Sequence, residues 1–312
     1  MSKKLLVVGT MAYDAIETPF GKVEHILGGA ATYIAFAASN FDINIGIVSV
    51  VGEDFKAEDL KLLTDRKVDI SGVEIVKGGK TFFWRGKYHE NINKRDTLDT
   101  QLNVLENFVP KVSDVFNNSK ILLLGNLHPG VQLAALKQMK FKPEIVILDS
   151  MNFWMDNFRS ILDKVIRLID VLCINDEEAL QLTEQNSIRN AAVIIQNMGP
   201  KYVIIKKGEH GAMLFHHDEV FTVPAFPLKE VKDPTGAGDS FAGGFAGYLA
   251  EQSDTSFESM KTALIYASAM ASFTVEEFGT ENLQKVNNLN LKKRIKEFEN
   301  LIKSKTLNTP EL

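Results

Sequence analysis

The feature that most constrains this chain is the stretch at residues 233–245, which reads Asp-Pro-Thr-Gly-Ala-Gly-Asp-Ser-Phe-Ala-Gly-Gly-Phe. Pro234 cannot continue a helix from upstream, whereas the small and apolar residues that follow Gly236 can begin one. The pattern therefore predicts a loop that enters a helix at about Gly236, with the first amides unpaired and pointing at one spot. The helix dipole favours negative charge there, so we expect a phosphate group to bind. Asp239 would lie close enough to accept a proton from a hydroxyl that attacks the phosphorus.

The same stretch resembles the C-terminal signature of the ribokinase-like (PfkB) family of sugar and nucleoside kinases, and the match is nearly unbroken. In that family the aspartate is the general base and the preceding amides form the anion hole. The resemblance therefore implies an ATP-dependent kinase with the catalytic residues Asp239, Gly236, Ala237 and Gly238. The alternative interpretation is an ordinary helix start with Thr235 as its N-cap.

Composition places the chain among globular proteins with a large core. Of its 312 residues, 45% are hydrophobic and 24% are charged. A formal net charge of -5 and a pI of 5.8 argue against nucleic acid or an anionic membrane as a partner. Cys173 is the only cysteine in the sequence, which excludes an internal disulfide and fits a reducing compartment. No apolar run is long enough for a signal peptide or a membrane span, so we expect a cytoplasmic protein with one domain over residues 1–312.

Short apolar runs, most of them followed by a helical pattern, predict the fold class. Such a sequence favours an α/β fold with a doubly wound, mainly parallel sheet and helices on both faces. The family resemblance implies the ribokinase-like version of this fold. A charged amphipathic helix is predicted near the C-terminus, over residues 289–305. The predicted strands are residues 4–9, 45–51, 120–124, 144–148, 171–174 and 202–205.

A second region departs from this alternation, because residues 81–88 are rich in β-forming side chains. In the family, strands from such segments form a small β lid over the sugar, often shared with a second subunit. The resemblance therefore implies a lid from about residues 12–28 and 72–100, and a homodimer formed through it. Aromatic and basic side chains here favour substrate contact and a dimer interface about equally; they are Phe83, Trp84, Arg85 and Tyr88.

Polar residues and glycines at predicted strand and helix ends indicate where the phosphate acceptor binds. Asp14 follows the first strand, and its carboxylate can take two hydroxyls of a sugar. Gly28 and Gly29 precede a helix and allow a ligand to approach closely; Tyr33 stands where the family usually has asparagine. The predicted acceptor-binding residues are Asp14, Gly28, Gly29, Tyr33, Asn126, Asn152 and Arg85.

Three further segments resemble the nucleotide-binding part of the family. Asn175 and Glu178 match an Asn-x-x-Glu motif that organises Mg²⁺ through water, although helix capping explains the pair equally well. Lys206 stands where threonine is common in the family. It is followed by Gly208 and Gly211, which match the two glycines of the family's nucleotide-binding segment. The predicted ATP-binding residues are Asn175, Glu178, Lys206, Gly208, Gly211 and Gly279. The resemblance also implies a monovalent cation such as K⁺ at Asp233 and Thr235.

The function expected from these features is phosphorylation of a primary hydroxyl on a small sugar, as in ribokinases and fructokinases. A purine nucleoside is the alternative acceptor, since Tyr33, Phe83 or Trp84 could stack on its base. A non-catalytic sugar or nucleotide sensor would have no need of Asp239. The sequence contains neither a Walker-type loop nor a dinucleotide fingerprint after its first strand, which argues against a P-loop enzyme and an NAD-dependent dehydrogenase.

Overall fold

A nine-stranded sheet and a smaller four-stranded sheet organise the chain, as described by a computed structural model over residues 3–302. The strands are β1 (Lys4–Val8), β2 (Ala12–Thr18), β3 (Gly21–Gly28), β4 (Asn44–Gly52), β5 (Val68–Val76), β6 (Phe82–Tyr88), β7 (Arg95–Gln101), β8 (Ile121–Leu124), β9 (Ile145–Leu148), β10 (Val171–Asn175), β11 (Tyr202–Lys206), β12 (Ala212–His216) and β13 (Glu219–Val223).

Helices connect most strands of the larger sheet. They are α1 (Ala30–Ala38), α2 (Ala57–Asp65), α3 (Pro129–Lys137), α4 (Asn152–Asn157), α5 (Arg159–Ile166), α6 (Asp176–Thr183), α7 (Ile188–Met198), α8 (Ala237–Glu251), α9 (Phe257–Thr274) and α10 (Asn288–Ile302). Residues 303–305 of the predicted C-terminal helix lie outside the described residues. No helix within residues 3–302 is long and apolar enough to cross a membrane.

The larger sheet has the order β13-β12-β11-β10-β9-β8-β1-β4-β5. Neighbouring strands run parallel from β11 to β5, whereas β12 and β13 are antiparallel. The strand order reverses between β1 and β8, and ligands of such sheets usually bind outside the carboxyl ends of the strands at that point. The predicted fold class is confirmed.

Side chains that alternate along each central strand build a core on either face of this sheet. Leu5 and Val7 of β1 pack with α1, α8 and α9, while Leu6 and Val8 pack with α5, α6 and α7. All four side chains are almost completely buried. Because both faces of the sheet are covered, its central strands are continuous apolar runs, which explains why the sequence revealed them.

The smaller sheet has the order β3-β2-β6-β7, in which β2 and β6 are parallel and the other neighbours are antiparallel. Its strands lie in the two segments from which a lid was expected, except that β7 ends one residue later, at Gln101. Residues 72–76 do not belong to it, because they end β5 at the edge of the larger sheet, and here the predicted lid boundary was wrong. Val68 alone is buried in β5, so this edge strand lacks the apolar run that marks the others.

Candidate active site

The N-terminus of α8 lies beside the end of β11, in the crevice expected at the carboxyl ends of the parallel strands. Gly236 is its N-cap, as predicted. Gly236 has a φ of 74°, which glycine adopts without strain. A Cβ atom at this position would also overlap the ring of Tyr33. The sequence therefore needs glycine here for two independent reasons, and the loop before α8 is held in one conformation.

Three backbone amides at this helix start are free to bind an anion. The Ala237 amide donates to the Pro234 carbonyl at 3.2 Å, whereas those of Gly236, Gly238 and Asp239 have no hydrogen-bond partner within the described chain. The free amides differ from the predicted ones at one position. Asp239 takes the place of Ala237, whose amide is bonded within the turn. The helix dipole and these amides together favour negative charge next to Asp239.

The carboxyl group of Asp239 is poised to exchange a proton near neutral pH. Loss of hydration raises its pKa to about 7, and the charge of Asp149 acts in the same direction. The positive charges of Lys206 and Arg95 oppose this shift. A carboxyl group with such a pKa can serve as a general base at neutral pH.

A buried ion pair lies beside the amides. Lys206 Nζ, at the end of β11, is 3.2 Å from both carboxylate oxygens of Asp149, which follows β9; the side chains are 15% and 6% exposed. Burial is the largest single effect on Lys206 and would lower its pKa, but the neighbouring Asp149, Cys173, Glu178 and Asp239 together outweigh it, and the pKa is raised. A Cβ atom on Gly238 would lie 3.0 Å from Lys206 Nζ, so the ammonium packs directly against the start of α8.

Asp14 of β2 faces the same crevice and is only 4% exposed. Burial raises its pKa to about 8, with further contributions from the charges of Asp233 and Asp239, while a hydrogen bond from the Gly29 amide lowers it. A Cβ atom on Gly28 would overlap the Asp14 carboxylate, and Gly29 begins α1 with a φ of 89°. The glycine pair therefore makes room for this carboxyl group and positions a donor on it.

Tyr33 of α1 forms the floor between Asp14 and the loop before α8. The side chain is 1% exposed, and within the described residues its hydroxyl has no hydrogen-bond partner. Burial raises its pKa well above the usual value, and the carboxylates of Asp233, Asp14 and Asp239 raise it further. The tyrosine is thus brought together with Asp14 and Gly29, two of the other predicted acceptor-side residues.

Asn175 and Glu178 form a capping box at the start of α6. The Glu178 amide donates to Asn175 Oδ1 at 2.7 Å, and the Asn175 amide donates to Glu178 Oε2 at 2.8 Å. Burial raises the pKa of Glu178 to about 7, while the charges of Lys206 and Arg95 lower it. Helix capping is therefore confirmed for this pair, and Glu178 Oε1 is left for other contacts.

Asp233 ties the loop before α8 to the segment at Gly279. Its carboxylate is fully buried and accepts hydrogen bonds from the amides of Thr235 and Gly279, both at 2.9 Å. The Thr235 hydroxyl donates to Tyr88 Oη at 3.0 Å. The side-chain oxygens expected to hold K⁺ thus also take part in hydrogen bonds within the protein.

The glycine loop between β11 and β12 contacts the smaller sheet. Gly208 and Gly211 have φ values of 53° and 86°, and a Cβ atom on Gly211 would overlap the backbone of Val223. Asn93, in the turn between β6 and β7, donates from Nδ2 to Glu209 Oε1 at 3.3 Å. The predicted nucleotide loop therefore adjoins the turn of the smaller sheet.

The two predicted asparagines lie at the correct sheet edge but use their side chains within the protein. Asn126 donates to Met151 Sδ at 3.2 Å and accepts from Trp154 Nε1 at 2.8 Å. Asn152 donates to Gln181. We therefore do not include Asn126 and Asn152 in the candidate site.

Arg85 does not join the site either. Its guanidinium forms a two-pronged ion pair with Glu24, at 2.9 and 2.8 Å. Trp84 is opposite Asp14 in the β2–β6 register and shares its face of the sheet, so Arg85 is on the other face. The structure thus separates residues that the sequence grouped together.

Arg95 is a site residue that sequence reasoning missed, whereas Asp149 was expected only as a possible substrate contact. Arg95 begins β7, its guanidinium carbon lies 5.4 Å from the centre of the Trp84 ring, and its charge acts on Asp239. β7 is mostly polar and exposed, so only the alternation of strand faces could have indicated which side chain points inward. Asp149 directly follows a buried strand, the position that made it a candidate contact, but its ion pair with Lys206 was not foreseen.

Comparison with known proteins identifies the family of this chain. Residues 2–286 match the model of the pfkB family carbohydrate kinases. A cytidine kinase from Thermococcus kodakarensis is 32% identical over 251 residues, which cover 78% of this chain and 88% of the relative. A nucleoside kinase from Methanothermobacter thermautotrophicus is 26% identical over 300 residues, which cover 89% of this chain and 91% of the relative.

Solved structures show the same fold. One is the crystal structure of an E. coli protein named as a ribokinase II, in complex with ATP and Mg²⁺. It superposes with a TM-score of 0.78 at 20% sequence identity and covers 95% of this chain and 100% of its own. The resemblance drawn from residues 233–245 is confirmed over nearly the whole sequence. This chain belongs to the pfkB family of carbohydrate kinases.

Proposed function

We propose that this protein transfers the γ-phosphoryl group of ATP to a primary hydroxyl of a nucleoside. The observation that carries the proposal is the position of Asp239, whose carboxyl group has a pKa of about 7 and adjoins three free amides at the start of α8. A base and an anion site on one short segment are what phosphoryl transfer to an alcohol requires. A pure sensor would need only the anion site.

In the proposed reaction, the acceptor hydroxyl gives its proton to Asp239 while its oxygen forms a bond to the γ-phosphorus. The bond between that phosphorus and the β,γ-bridging oxygen breaks, and its electron pair leaves with ADP. The amides of Gly236 and Gly238 stabilise negative charge on the transferred group. Asp14 and Tyr33 hold the acceptor, so that the attacking oxygen is already positioned.

The nucleotide would lie along the loop at Gly208 and Gly211, with its phosphates towards Lys206. Mg²⁺, when bound, would neutralise phosphate charge. The described residues contain no group of three or more His, Cys, Asp or Glu side chains that could hold a metal ion. Phosphate oxygens and water would therefore be its main ligands, with Glu178 acting through water. The E. coli relative in complex with ATP and Mg²⁺ supports this combination.

A nucleoside is favoured over a free sugar by one structural feature and by the relatives. Trp84 lies on the same face of the smaller sheet as Asp14, where an indole ring can stack on a base while the carboxyl group binds the ribose. The relatives from T. kodakarensis and M. thermautotrophicus are named as a cytidine kinase and a nucleoside kinase. The sequence alone placed a small sugar first; ribose remains the second candidate.

We also propose that the smaller sheet acts as a lid and that its outer face forms a homodimer. Phe83 and His25 stack on that face, with ring centres 6.4 Å apart. The face carries both signs of charge, in the pairs Arg85–Glu24 and Lys87–Glu17. A surface with an apolar strip and both charges can complement a second copy of itself.

The test is acceptor-dependent ADP release from Mg²⁺-ATP with cytidine, uridine, adenosine, inosine, ribose and fructose. We expect a nucleoside to give the highest kcat/KM and Asp239→Asn to lose about 10³-fold. Asp42→Asn, at a side chain that is 96% exposed, is the matched control. A folded Asp239→Asn variant with near-normal turnover would refute the mechanism. Ligand binding without turnover in the natural protein would favour the sensor.

A further inference from the structure

The hairpin formed by β6 and β7 carries Arg95 beside a tyrosine that contacts the loop leading into α8. Arg95 is the register partner of Tyr88 across the hairpin. The hydroxyl of Tyr88 accepts a hydrogen bond from Thr235, in the loop that leads into α8. The backbone at Arg95 is therefore connected to the anion-binding loop through one side chain.

The other end of the hairpin is fixed as well. Asn93 in its turn donates to Glu209, and its Oδ1 would lie 3.1 Å from a Cβ atom on Gly208. The hairpin thus touches the predicted nucleotide loop two residues before Arg95. With contacts on both sides, the strand start at Arg95 spans the gap between the nucleotide loop and α8.

The guanidinium of Arg95 is not consumed by an ion pair. It lies over the Trp84 ring, next to the register partner Tyr88, and no carboxylate within residues 3–302 forms an ion pair with it. Arg85 on the other face of the sheet is, by contrast, fully engaged with Glu24. A guanidinium has five N–H donors, so most of those on Arg95 are available to a ligand.

The charge of Arg95 acts on both sides of the expected phosphate position. It lowers the pKa of Asp239 at the start of α8 and that of Glu178 at the start of α6. Three carboxyl groups lie in this part of the crevice, whereas Lys206 is paired with one of them, Asp149. Added phosphate charge would need a second cation close by.

We propose that Arg95 donates hydrogen bonds to the γ-phosphoryl group, in bound ATP and during its transfer to the acceptor. The proposal rests on the kinase function proposed above. As the new oxygen–phosphorus bond forms and the bond to ADP breaks, the oxygens of the moving group stay within reach of one planar, permanently charged donor. The lid hairpin thereby supplies a catalytic residue in addition to covering the acceptor.

Nucleotide affinity provides a test that does not require a known acceptor. The variants are Arg95→Gln, Arg95→Lys and the control Lys87→Gln, which removes one charge from the opposite face of β6. Calorimetry should show that Arg95→Gln weakens binding of a non-hydrolysable ATP analogue about 10-fold, as expected for one charged hydrogen bond, and leaves ADP binding unchanged. Lys87→Gln should alter neither value. An unchanged ratio of ATP-analogue to ADP affinity in Arg95→Gln would overturn the proposal.

Turnover adds a second readout. We expect kcat to fall about 100-fold in Arg95→Gln, with partial recovery in Arg95→Lys. The acid limb of the pH–rate profile should also move to higher pH, because a positive charge that stabilises ionised Asp239 is removed. The groups that act on or face this carboxyl group are Asp149, Lys206, Arg95, Asp14, Tyr33 and Cys173.

Different results would refute the kinase function and the role of Arg95. If the natural protein transfers phosphate but Arg95→Gln keeps both its kcat and its acid limb, the role of Arg95 is refuted and the kinase function stands. If the natural protein shows no transfer to any acceptor but Arg95→Gln selectively loses affinity for the ATP analogue, the proposed transfer is refuted while the γ-phosphate contact stands.

Discussion

Breaking the ion pair between Lys206 and Asp149 should destabilise the chain far more than breaking a pair on its surface. Lys206→Met keeps most of the side-chain volume and removes the charge, so it leaves the Asp149 carboxylate, 6% exposed, without its cation. Removing one partner of a buried pair typically costs about 3–5 kcal/mol. Because Lys206 is still 15% exposed, we expect the lower end, about 3 kcal/mol of unfolding free energy.

That loss converts into a measurable shift of the melting temperature. The unfolding entropy is about 2.1 cal/mol/K per residue, so for a chain of 312 residues we expect the Tm to fall by about 5 °C. Asp149→Asn should cost a similar amount. The double variant should lose clearly less than the two single losses together, because neither charge is then left alone, and we expect a coupling energy of about 2 kcal/mol.

The assay is thermal and urea unfolding of the four proteins followed by circular dichroism. Lys61 and Asp65 on α2 provide the matched control, since they pair at 2.6 Å with side chains 70% and 58% exposed. Their cycle, Lys61→Met with Asp65→Asn, should give a coupling of about 0.5 kcal/mol or less. If the losses from Lys206→Met and Asp149→Asn simply add, the pair does not hold the end of β11 against β9, and our reading of this part of the site is wrong.

Two other predictions follow from the site and the smaller sheet. Because the pKa of Asp14 is raised to about 8, the native state holds this proton more tightly than the unfolded chain, and stability falls as pH rises towards 8. Asp14→Asn should therefore melt above the natural protein at pH 8, with a smaller difference at pH 5; a difference that does not depend on pH would contradict this. For the dimer, Phe83→Glu should give a monomer in light scattering, whereas Leu289→Glu, at a side chain 80% exposed on α10, should not. A monomeric natural protein would refute that interface.

The buried strands could be predicted from the sequence because each of them is a local run of apolar residues. The strands from β8 to β11 were each visible as an apolar run, and the start of α8 followed from Pro234 and Gly236. β5 was not assigned to the larger sheet, since an edge strand exposes half of its side chains and reads like any surface segment. The sequence did not predict which strands pair with each other, because no local pattern specifies the neighbouring strand.

The candidate site divides in the same way. Residues fixed by backbone geometry, such as Gly236 and Asp239, were predicted from their own motif. Side chains whose direction depends on strand parity were not: Arg85 was expected in the site and Arg95 was not, and the structure places them on opposite faces. Asn126 was expected to bind substrate, but its amide is used by Trp154, a contact between two different segments. Tertiary packing determines the direction and the hydrogen-bond partners of these side chains.

The two carboxyl groups that face the acceptor have different charged neighbours, and this difference supports separate roles. Asp239 has Lys206 and Arg95 nearby and a pKa of about 7, whereas no cation offsets the burial of Asp14, whose pKa is about 8. Burial without a nearby cation favours the protonated form of Asp14, which can both donate and accept hydrogen bonds to sugar hydroxyls, while the cations near Asp239 favour the ionised form that takes a proton. Cations thus lie where a base is needed and are missing where a neutral binding group suffices. This arrangement supports Asp239 as the base on electrostatic grounds that do not depend on its sequence motif.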